Sequence, residues 1–510
     1  MFRSIKYISH FISVARTLAK HDALFLIDGL AENHSLLRIM QKLLLVSASN
    51  NKSKGLSKGK RLANALHSLG PAYIKLGQTI ATRPDLIGEE IAEDLSELQD
   101  RLPSFCGAEV KKIIEKEFGK PLSELFSEFD ENAIAAASIA QVHFATTLEG
   151  HKVAVKVLRP DIEKAFQKNI QSFIWAALFL ENNSSEAKRL RPVEIVKTLE
   201  DSVAFEMDLR LEAAAASELQ ENMKNYEGYR VPNINWQKPS RRILTLERIT
   251  GTPIGDNKKL KEKGHDLQKL SQKIIHIFLS QSIGGGFFHA DLHQGNLFVE
   301  DDGTIVPVDF GIMGRLDKNS RRFLAEILWG FQERDYQKVA QVHFDAGYVD
   351  KTHSVVLFAQ AMRAVAEPIM DKPITEVSIG QLLAQLLKTT RRFSMKTQPQ
   401  LLMLQRSMVM AEGLAFRLNK EANIWDLSRP TIEKWVKQNL SPENQAREIK
   451  NTLIRIIKKL PAYLEGLEGH LTNFNLKPEL PTPHSKFENI GWGSLIIGFV
   501  IGLSLFFIFG

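Results

Sequence analysis

Cysteine is almost absent from this chain of 510 residues, which contains only Cys106. A single thiol cannot form an intramolecular disulfide, and it cannot build a zinc site of the cysteine-based kind. The sequence therefore excludes a small disulfide-bonded secreted domain, and it fits a reducing compartment.

Charge of one sign is not concentrated in the chain either. The formal net charge is +7, but the 66 basic residues are scattered among 59 acidic ones. We find no basic stripe interleaved with aromatic side chains and no nucleic-acid-binding motif. We therefore expect no nucleic-acid partner, whereas a mildly basic surface suits anionic lipid headgroups.

A distinctive hydrophobic run lies at the end of the chain, where residues 491–510 carry no charged side chain. A stretch of about 20 apolar residues matches the roughly 30 Å hydrocarbon core of a bilayer. A buried helix of that length in a soluble domain would normally show a polar stripe. We therefore predict a single transmembrane anchor over residues 490–510.

The first segment, residues 1–20, is basic and carries no acidic residue. Its apolar residues recur at helical spacing, so we expect a helix that packs on the body of the protein. An interfacial membrane helix and a cleaved transit peptide are the alternatives.

The rest of the chain alternates between helical and strand patterns, and its composition is that of a globular protein. Helical spacing runs over residues 61–102 with a break at Gly70-Pro71, and it returns over residues 191–224. Asp302-Gly303 is a strong hairpin turn signal. Short apolar strands are predicted at residues 142–145, 153–157, 243–246, 296–299 and 305–308.

The strongest chemical signal is the sequence HADLHQGN at residues 289–296, followed after the predicted hairpin by the sequence DFG that begins at Asp309. Phosphoryl transfer needs positioning, neutralisation of charge and an acceptor for the proton of the nucleophile. Asp291 would be the acceptor, and Asn296 would add a metal ligand on the same loop. Asp309 would supply another oxygen ligand to a metal that bridges phosphates. The ordered set predicts a metal-dependent phosphotransfer site.

A lysine lies inside the predicted strand VAVKV at residues 153–157. An unpaired Lys156 would be costly in a buried strand, but a nucleotide phosphate and a helix carboxylate together would satisfy it. Candidate carboxylates lie in residues 205–212, where Asp208 and Glu212 are four residues apart and are expected to share a helix face. Because the chain also contains the catalytic-loop sequence HADLHQGN, Lys156 is predicted to contact the phosphates.

The segment before that strand is rich in alanine where a protein kinase would carry the glycine-rich pattern GxGxxG. Alanine still lets the backbone approach phosphates, but it lacks the easy access of glycine to positive φ. We expect a stiffer loop that holds nucleotide differently, although the segment alone fits the start of a helix. The predicted nucleotide contacts are Ile134, Ala135, Ala136, Ala137, Ser138, Ile139, Ala140, Gln141, Val142, Lys156 and Glu247.

Two features of ordinary protein kinases are absent from the sequence. Ala290 stands where the HRD motif has arginine, and no Ala-Pro-Glu follows Gly311. The chain instead turns into a predicted helix at residues 319–329. The surface on which protein kinases bind a peptide substrate is therefore not evident, which counts against a conventional protein kinase.

A further motif, KxGQ at residues 75–78, is one that ordinary kinases lack. With this motif, the alanine-rich loop and an ExD motif at residues 206–208, the sequence resembles the UbiB family of atypical kinase-like proteins, also called the ADCK family. The resemblance runs from about residue 70 to about residue 427, and the motif set is highly specific.

The resemblance implies a role for each matching residue. Lys156 would contact the nucleotide phosphates and pair with Glu212, and Asp291 would be the catalytic base. Asn296 and Asp309 would bind Mg²⁺.

The resemblance also implies a group of family-specific regulatory residues. Lys75 would reach into the active site from an N-terminal extension that covers the place of a peptide substrate, and it would meet two acidic side chains there. The group comprises Lys75, Gln78, Glu206 and Asp208.

These observations predict an α+β chain with a two-lobed protein-kinase-like fold, an N-terminal helical extension and a C-terminal transmembrane helix. The predicted domains are the extension with the KxGQ motif (1–130), the smaller lobe with the nucleotide loop (131–250), the larger lobe with the catalytic motifs (251–427), a helical tail (428–489) and the anchor (490–510).

The implied function is the binding of ATP and Mg²⁺, with hydrolysis or phosphoryl transfer that supports ubiquinone biosynthesis. The implied partners are membrane lipids, ubiquinone precursors and biosynthetic enzymes. Mitochondrial relatives carry their membrane segment near the N-terminus, so the C-terminal anchor favours a bacterial inner-membrane protein with a cytoplasmic kinase body. Bacterial relatives commonly end in two membrane helices, whereas this chain has room for one.

Two other functions stay open at this point. One is a small-molecule phosphotransferase of the aminoglycoside or choline kinase type, since those enzymes also carry the pattern HxDxxxxN followed by an aspartate. The other is a non-catalytic scaffold that binds nucleotide only as a structural ligand. The KxGQ motif and the alanine-rich loop speak against the first, and the intact set of catalytic residues speaks against the second.

Overall fold

The structure describes part of the chain, and only predictions for those residues can be compared with it. The computed structural model describes residues 2–25, 55–81, 87–96, 98, 103–183, 192–238, 240–370, 389, 391–393, 395, 399–439 and 441. The chain divides into two units, Met1–Asn439 and Leu440–Gly510, and every described residue except Ser441 belongs to the first. The anchor predicted at residues 490–510 lies outside the described residues. Among the helices that are described, none has both the length and the apolar character needed to span a bilayer.

Helices dominate the N-terminal extension, as the sequence predicts. The break at Gly70-Pro71 is confirmed, because Gly70 ends one helix with φ at +98° and Pro71 begins the next. Proline suits a first helical turn, where its missing N–H leaves no bond unmade. Within the described residues its helices are α1 (Phe2–Lys20), α2 (Lys58–Leu69), α3 (Pro71–Ala81), α4 (Glu89–Ser96) and α5 (Gly107–Phe118).

The first helix packs on the body of the protein, which confirms the prediction for this segment. The hydroxyl of Tyr73 on α3 lies 2.9 Å from Nε2 of His10 on α1. Val14 and Leu18 pack against the core that α2 and α3 share with the sheet of the smaller lobe.

An antiparallel sheet of five strands forms the smaller lobe. Its hydrogen-bonded order is β1-β3-β4-β5, and β2 pairs with the start of β3. The strands are β1 (Phe126–Phe129), β2 (Ala135–Ala136), β3 (Ala140–Thr147), β4 (Lys152–Leu158) and β5 (Ile243–Glu247).

Alternation along β4 places its lysine on a particular face of the sheet. Val153, Val155 and Val157 are buried in a core with Val110 and Ile114 of α5. Since successive side chains of a strand point to opposite faces, Lys156 lies on the other face. Between β4 and β5 the described helices are α6 (Ile162–Asn183), α7 (Pro192–Glu206) and α8 (Leu209–Met223).

The larger lobe is mainly helical, and its described residues include two small sheets. Its main core, which includes the fully buried Phe288 and Phe310, is separate from the two cores of the smaller lobe. The described elements thus form a smaller lobe built on a sheet and a larger, mainly helical lobe with its own core. The elements in chain order are β6 (Thr252–Pro253), α9 (Asn257–Glu262), α10 (Leu267–Leu279), β7 (Phe287–His289), β8 (Leu297–Val299), β9 (Ile305–Pro307), β10 (Met313–Arg315), α11 (Lys318–Gln332), α12 (Tyr336–Asp345), α13 (Val355–Met370), α14 (Pro399–Leu418) and α15 (Ile424–Asn439).

A glycine in β10 allows the strand to lie close to the main core. Gly314 pairs with Phe288 of β7, and a Cβ atom at Gly314 would come within 2.1 Å of the ring of Phe288, which is fully buried. We expect Gly314→Ala to lower the free energy of unfolding by about 1–3 kcal/mol, because a packed ring has no space into which it can move. Urea unfolding of the full chain measures this change in free energy. The matched control is Gly413→Ala in α14, where a Cβ meets no atom within 4 Å, and it should stabilise by up to about 1 kcal/mol. Equal effects of the two substitutions would contradict the packing explanation.

Candidate functional site

A cluster of ionic side chains joins the two lobes at the predicted phosphate site. The ammonium of Lys156 on β4 donates to both carboxylate oxygens of Glu212 on α8, at 2.7 and 2.9 Å. It also lies 3.3 Å from Oδ1 of Asp309, two residues beyond β9. The backbone N–H of Phe310 donates to the same Glu212 carboxylate at 3.4 Å. The strand lysine, the helix glutamate and the DFG aspartate, all predicted from sequence, are therefore brought together.

One ammonium is shared by two carboxylates in this cluster. Burial raises the pKa of Glu212 to about 7, although Lys156 opposes the rise. Burial also acts to raise the pKa of Asp309, but the ammonium of Lys156 and the N–H of Gly311 hold that pKa well below its usual range. Burial would lower the pKa of Lys156, yet the two carboxylates together raise it above its ordinary value. Lys156 and Asp309 are therefore charged at neutral pH.

The catalytic loop between β7 and β8 is held by hydrogen bonds within the HADLHQGN segment. The amide nitrogen of Asn296 donates to Oδ2 of Asp291 at 3.1 Å and to its backbone oxygen at 3.2 Å. The backbone N–H of Asp291 donates to Nδ1 of His289 at 3.1 Å. The other ring nitrogen of His289, which is 1% exposed, contacts the backbone oxygen of Asp309. One buried histidine thus connects the predicted base with the DFG aspartate.

The two predicted metal ligands fit magnesium held together with a nucleotide. The carboxylate of Asp309 is 44% exposed and ionised. The amide nitrogen of Asn296 donates to Asp291, so a cation would bind the amide oxygen. Across the described residues, no three or more His, Cys, Asp or Glu side chains form a group able to hold a metal by themselves. Mg²⁺ is typically bound by one or two carboxylates plus substrate phosphates, so two protein ligands suffice.

The lysine of the KxGQ motif forms a buried ion pair. Nζ of Lys75 on α3 lies 2.8 Å from the carboxylate of Glu206, the last residue of α7, and the two side chains are 7% and 12% exposed. The amide of Gln78, one turn along α3, donates to the backbone oxygen of Leu98 at 3.2 Å. The extension is therefore connected to the ExD motif through the first of its two acids.

The second acid of the ExD motif, Asp208, is not inside a helix. The expectation that Asp208 and Glu212 share a helix face is wrong, because α8 begins at Leu209 and Asp208 is its N-cap. The Asp208 carboxylate accepts from the backbone N–H of Arg210 at 3.2 Å and pairs with the guanidinium of Arg210 at 2.6 Å. An aspartate at an N-cap satisfies an N–H that the helix itself leaves unpaired. This cap fixes the start of α8 directly after Asp208.

The alanine-rich segment forms a tight turn and not the start of a helix. Ala135 and Ala136 pair with Val142 and Gln141, and the N–H of Ala137 donates to the oxygen of Ala140 at 2.8 Å. The loop members at the β3 side, Ser138, Ile139, Ala140 and Gln141, are buried, whereas Ile134 is 60% exposed. The hydroxyl of Ser138 is fully buried and has no hydrogen-bond partner within the described structure.

The end of β5 is occupied by an ion network that the sequence did not indicate. The carboxylate of Glu247 pairs with the guanidinium of Arg230 at 2.9 and 3.0 Å and accepts from the N–H of Asn233 at 3.1 Å. Arg230 also pairs with Glu300, which follows β8 in the larger lobe, at 2.5 and 2.8 Å. A nucleotide contact at Glu247 would therefore have to use the backbone.

Comparison with known proteins places these features in a family. A family model described as the ABC1 atypical kinase-like domain matches residues 97–343, and one described as the UbiB helical domain matches residues 362–423. A curated relative from Marinobacter nauticus, "Probable protein kinase UbiB", is 41% identical over 414 residues, which cover 80% of this chain and 74% of the relative. A relative of the same name from Pseudomonas paraeruginosa is 39% identical over 453 residues, 88% of this chain and 84% of the relative. The chain belongs to the UbiB family.

A solved structure supports the fold of this UbiB chain. The complex of Rv3197 with erythromycin from Mycobacterium tuberculosis aligns with a TM-score of 0.51 at 23% identity, covering 78% of this chain and 98% of that one. At this identity the likeness shows the fold alone.

Sequence reasoning missed Gln281, a buried residue that is hydrogen-bonded to the start of the catalytic loop of this UbiB chain. Gln281 is 1% exposed and lies in a π-helical turn, Ser280–Gly285, directly after α10. Its side-chain oxygen accepts from the backbone N–H of His289 at 3.0 Å. The ring of His289 in turn contacts the backbone of Asp291 and of Asp309, so Gln281 holds the end of β7 at the residue that contacts both acids. Single π-helical turns are frequent at functional sites, but only the structure shows one here.

Proposed function

We propose that this chain is an ATP-binding, Mg²⁺-dependent kinase or ATPase that supports ubiquinone biosynthesis. The observation that carries the proposal is the ammonium of Lys156, held 2.7 Å from Glu212 and 3.3 Å from Asp309. A buried cation that is oriented by one acid and placed beside a metal-binding acid is what phosphate binding requires. The link to ubiquinone is supported by membership of the UbiB family.

The residues of the chain divide the work of phosphate chemistry among them. Lys156 would bind phosphate oxygens, and Glu212 would keep its ammonium in place. Asp309 and Asn296 would hold Mg²⁺, which when bound neutralises the charge on the phosphates. Asp291 would accept the proton of the attacking water or alcohol. The buried hydroxyl of Ser138 would find an acceptor in a nucleotide phosphate.

The membrane part of the proposal rests on the charge-free run at residues 491–510. A chain anchored there would hold its kinase body at the cytoplasmic side of a bacterial inner membrane. Its partners would be membrane lipids, ubiquinone precursors and biosynthetic enzymes. ATP turnover would then help to extract hydrophobic precursors from the bilayer or present them to soluble enzymes.

The test is ATP hydrolysis by the full chain with Mg²⁺, with phosphatidylglycerol vesicles and with phosphatidylcholine vesicles at the same lipid concentration. We expect turnover that needs Mg²⁺ and that rises with the anionic vesicles, because a mildly basic chain is attracted to anionic headgroups. The neutral vesicles control for bilayer insertion alone. Nucleotide binding without turnover under every condition would refute the enzyme and favour a scaffold. Saturable phosphorylation of a soluble alcohol would favour a small-molecule phosphotransferase.

A further inference from the structure

The last residues before α5 contact the alanine-rich loop. The N–H of Phe105 donates to the side-chain oxygen of Gln141 at 2.9 Å, and the side-chain nitrogen of Gln141 donates to the oxygen of Phe105 at 3.2 Å. Gln141 thus pairs with the Phe105 backbone as a neighbouring strand would. Since Gln141 is opposite Ala136 in the β2–β3 pair, this segment of the extension is attached directly to the loop strand.

A single guanidinium holds the same segment and the loop together. Arg159, the first residue after β4, donates to the oxygen of Ala137 through Nε at 3.1 Å and Nη2 at 2.8 Å. Nη2 also donates to the oxygen of Pro103 at 2.9 Å, and the guanidinium lies 5.6 Å from the ring centre of Phe105. The backbone N–H of Arg159 donates to the oxygen of Ile139 at 2.9 Å. A planar, forked donor suits two carbonyls at once, which a point-charge ammonium does not.

The orientation of Gln141 is determined by a buried histidine. Nδ1 of His143 lies 2.8 Å from the backbone oxygen of Asp130, which can only accept, so Nδ1 carries the proton. Nε2 of His143 is then an acceptor, and the amide nitrogen of Gln141 lies 2.9 Å from it. Both side chains are at most 1% exposed. The amide nitrogen of Gln141 therefore faces His143 and the oxygen of Phe105, and its oxygen faces the N–H of Phe105.

The other end of this stretch is held by the KxGQ helix. Gln78 donates to the oxygen of Leu98, five residues before Pro103 in the chain. One stretch of the extension is therefore bonded to the KxGQ motif at Leu98 and to the nucleotide loop at Pro103 and Phe105.

We propose that Arg159 and Gln141 are positioning residues that attach the alanine-rich loop to the N-terminal extension and thereby set the affinity for nucleotide. The proposal rests on the proposed function, because it takes the loop to be part of the nucleotide site. Arg159 need not touch the nucleotide, and the side-chain amide of Gln141, a predicted nucleotide contact, is already bonded to Phe105 and His143. Loss of either would free the carbonyl of Ala137 or the backbone of Phe105 and let the loop move away from the phosphates.

The test compares Arg159→Ala, Arg159→Lys and Gln141→Glu with the wild-type full chain. We expect each to raise the Kd for a fluorescent ATP analogue and the KM for ATP with Mg²⁺, by about tenfold for Arg159→Ala. Turnover at saturating ATP should stay within about twofold in the two Arg159 variants, since they leave the chemical groups untouched. Lysine should restore little, because its ammonium does not reproduce the fork. The control is Arg363→Ala on α13, whose guanidinium lies over Tyr336 and near Glu367, outside the nucleotide site.

Two further readouts separate the outcomes. An unchanged KM in Arg159→Ala, or a turnover that falls together with the thermal midpoint, would overturn the positioning role. Hydrogen exchange of residues 135–140 without nucleotide should be faster in Arg159→Ala than in Arg363→Ala, and equal exchange would also overturn it. A wild type that binds no nucleotide would refute the proposed function, while the exchange comparison would still decide whether Arg159 holds the loop.

Discussion

Asp291→Asn should lower ATP turnover by about 10²- to 10⁴-fold while nucleotide affinity changes little. The loss is that of a general base, because an amide has the shape of the carboxylate without its basicity. The geometry should survive, since Asn296 donates to Oδ2 of Asp291 and an amide oxygen can accept the same bond. Single-turnover hydrolysis with Mg²⁺, together with titration of a fluorescent ATP analogue, measures both quantities.

The matched control is Asp301→Asn, which removes the same charge from the adjacent hairpin. Asp301 is 86% exposed and pairs with Lys263. It lies in the turn between β8 and β9, outside the catalytic loop. This variant should hydrolyse ATP like the wild type. If Asp291→Asn also kept full turnover, Asp291 would not be the base, and a nucleotide-binding scaffold would explain the chain better. If both variants lost turnover, general charge and not the position of Asp291 would be responsible.

The parts of the fold that could be predicted from sequence are those decided by neighbours in the chain. The break at Gly70-Pro71 follows from the backbone preferences of these two residues, and the hairpin at Asp302-Gly303 follows in the same way. The ends of the longer strands β3, β4 and β5 were predicted to within two residues. The two-residue strands β2 and β6 carry too little periodicity to be recognised, whereas the three-residue strands β8 and β9 were recognised through the turn signal between them.

The site residues that belong to motifs of known spacing were predicted from sequence. Those whose partners lie far away in the chain were missed. Lys156, Glu212 and Asp309 were expected together, and the structure brings them together. Arg230 joins two acids that are 17 and 70 residues away in the chain, and no local pattern encodes such a partnership. The division into domains and the roles of the individual site residues stay predictions.

The error at Asp208 has a local cause that the sequence contained. An aspartate followed by an apolar helical pattern is a common N-cap, and the arginine two residues later gives it an ion pair. Spacing of four residues was read as a shared helix face, but this reading holds only when both residues are inside the helix. Glu212 lies inside α8 and reaches Lys156, whereas Asp208 ends the chain segment before it.

Lys156→Met is the other change with a large expected effect, and it should act on stability as well as on nucleotide binding. The side chains of Lys156 and Glu212 are 13% and 7% exposed. Without the ammonium, the carboxylates of Glu212 and Asp309 lose the cation they share. Removing one partner of a buried pair costs about 3–5 kcal/mol, so the free energy of unfolding should fall by that amount. Urea unfolding and titration of a fluorescent ATP analogue measure the two effects on the full chain.

The double variant Lys156→Met, Glu212→Gln distinguishes the two effects. It removes the buried carboxylate along with its cation, so part of the lost free energy of unfolding should return. Nucleotide binding should not return, because no cation is left to meet the phosphates. Lys164→Met is the matched control, since Lys164 is 83% exposed and pairs with Asp161 at the surface, where such pairs contribute little to stability. If the double variant were as unstable as Lys156→Met, the unpaired carboxylate of Glu212 would not be the cause of the lost stability. Nucleotide binding by Lys156→Met at wild-type affinity would remove Lys156 from the phosphate site, and the proposed function would lose the observation that carries it.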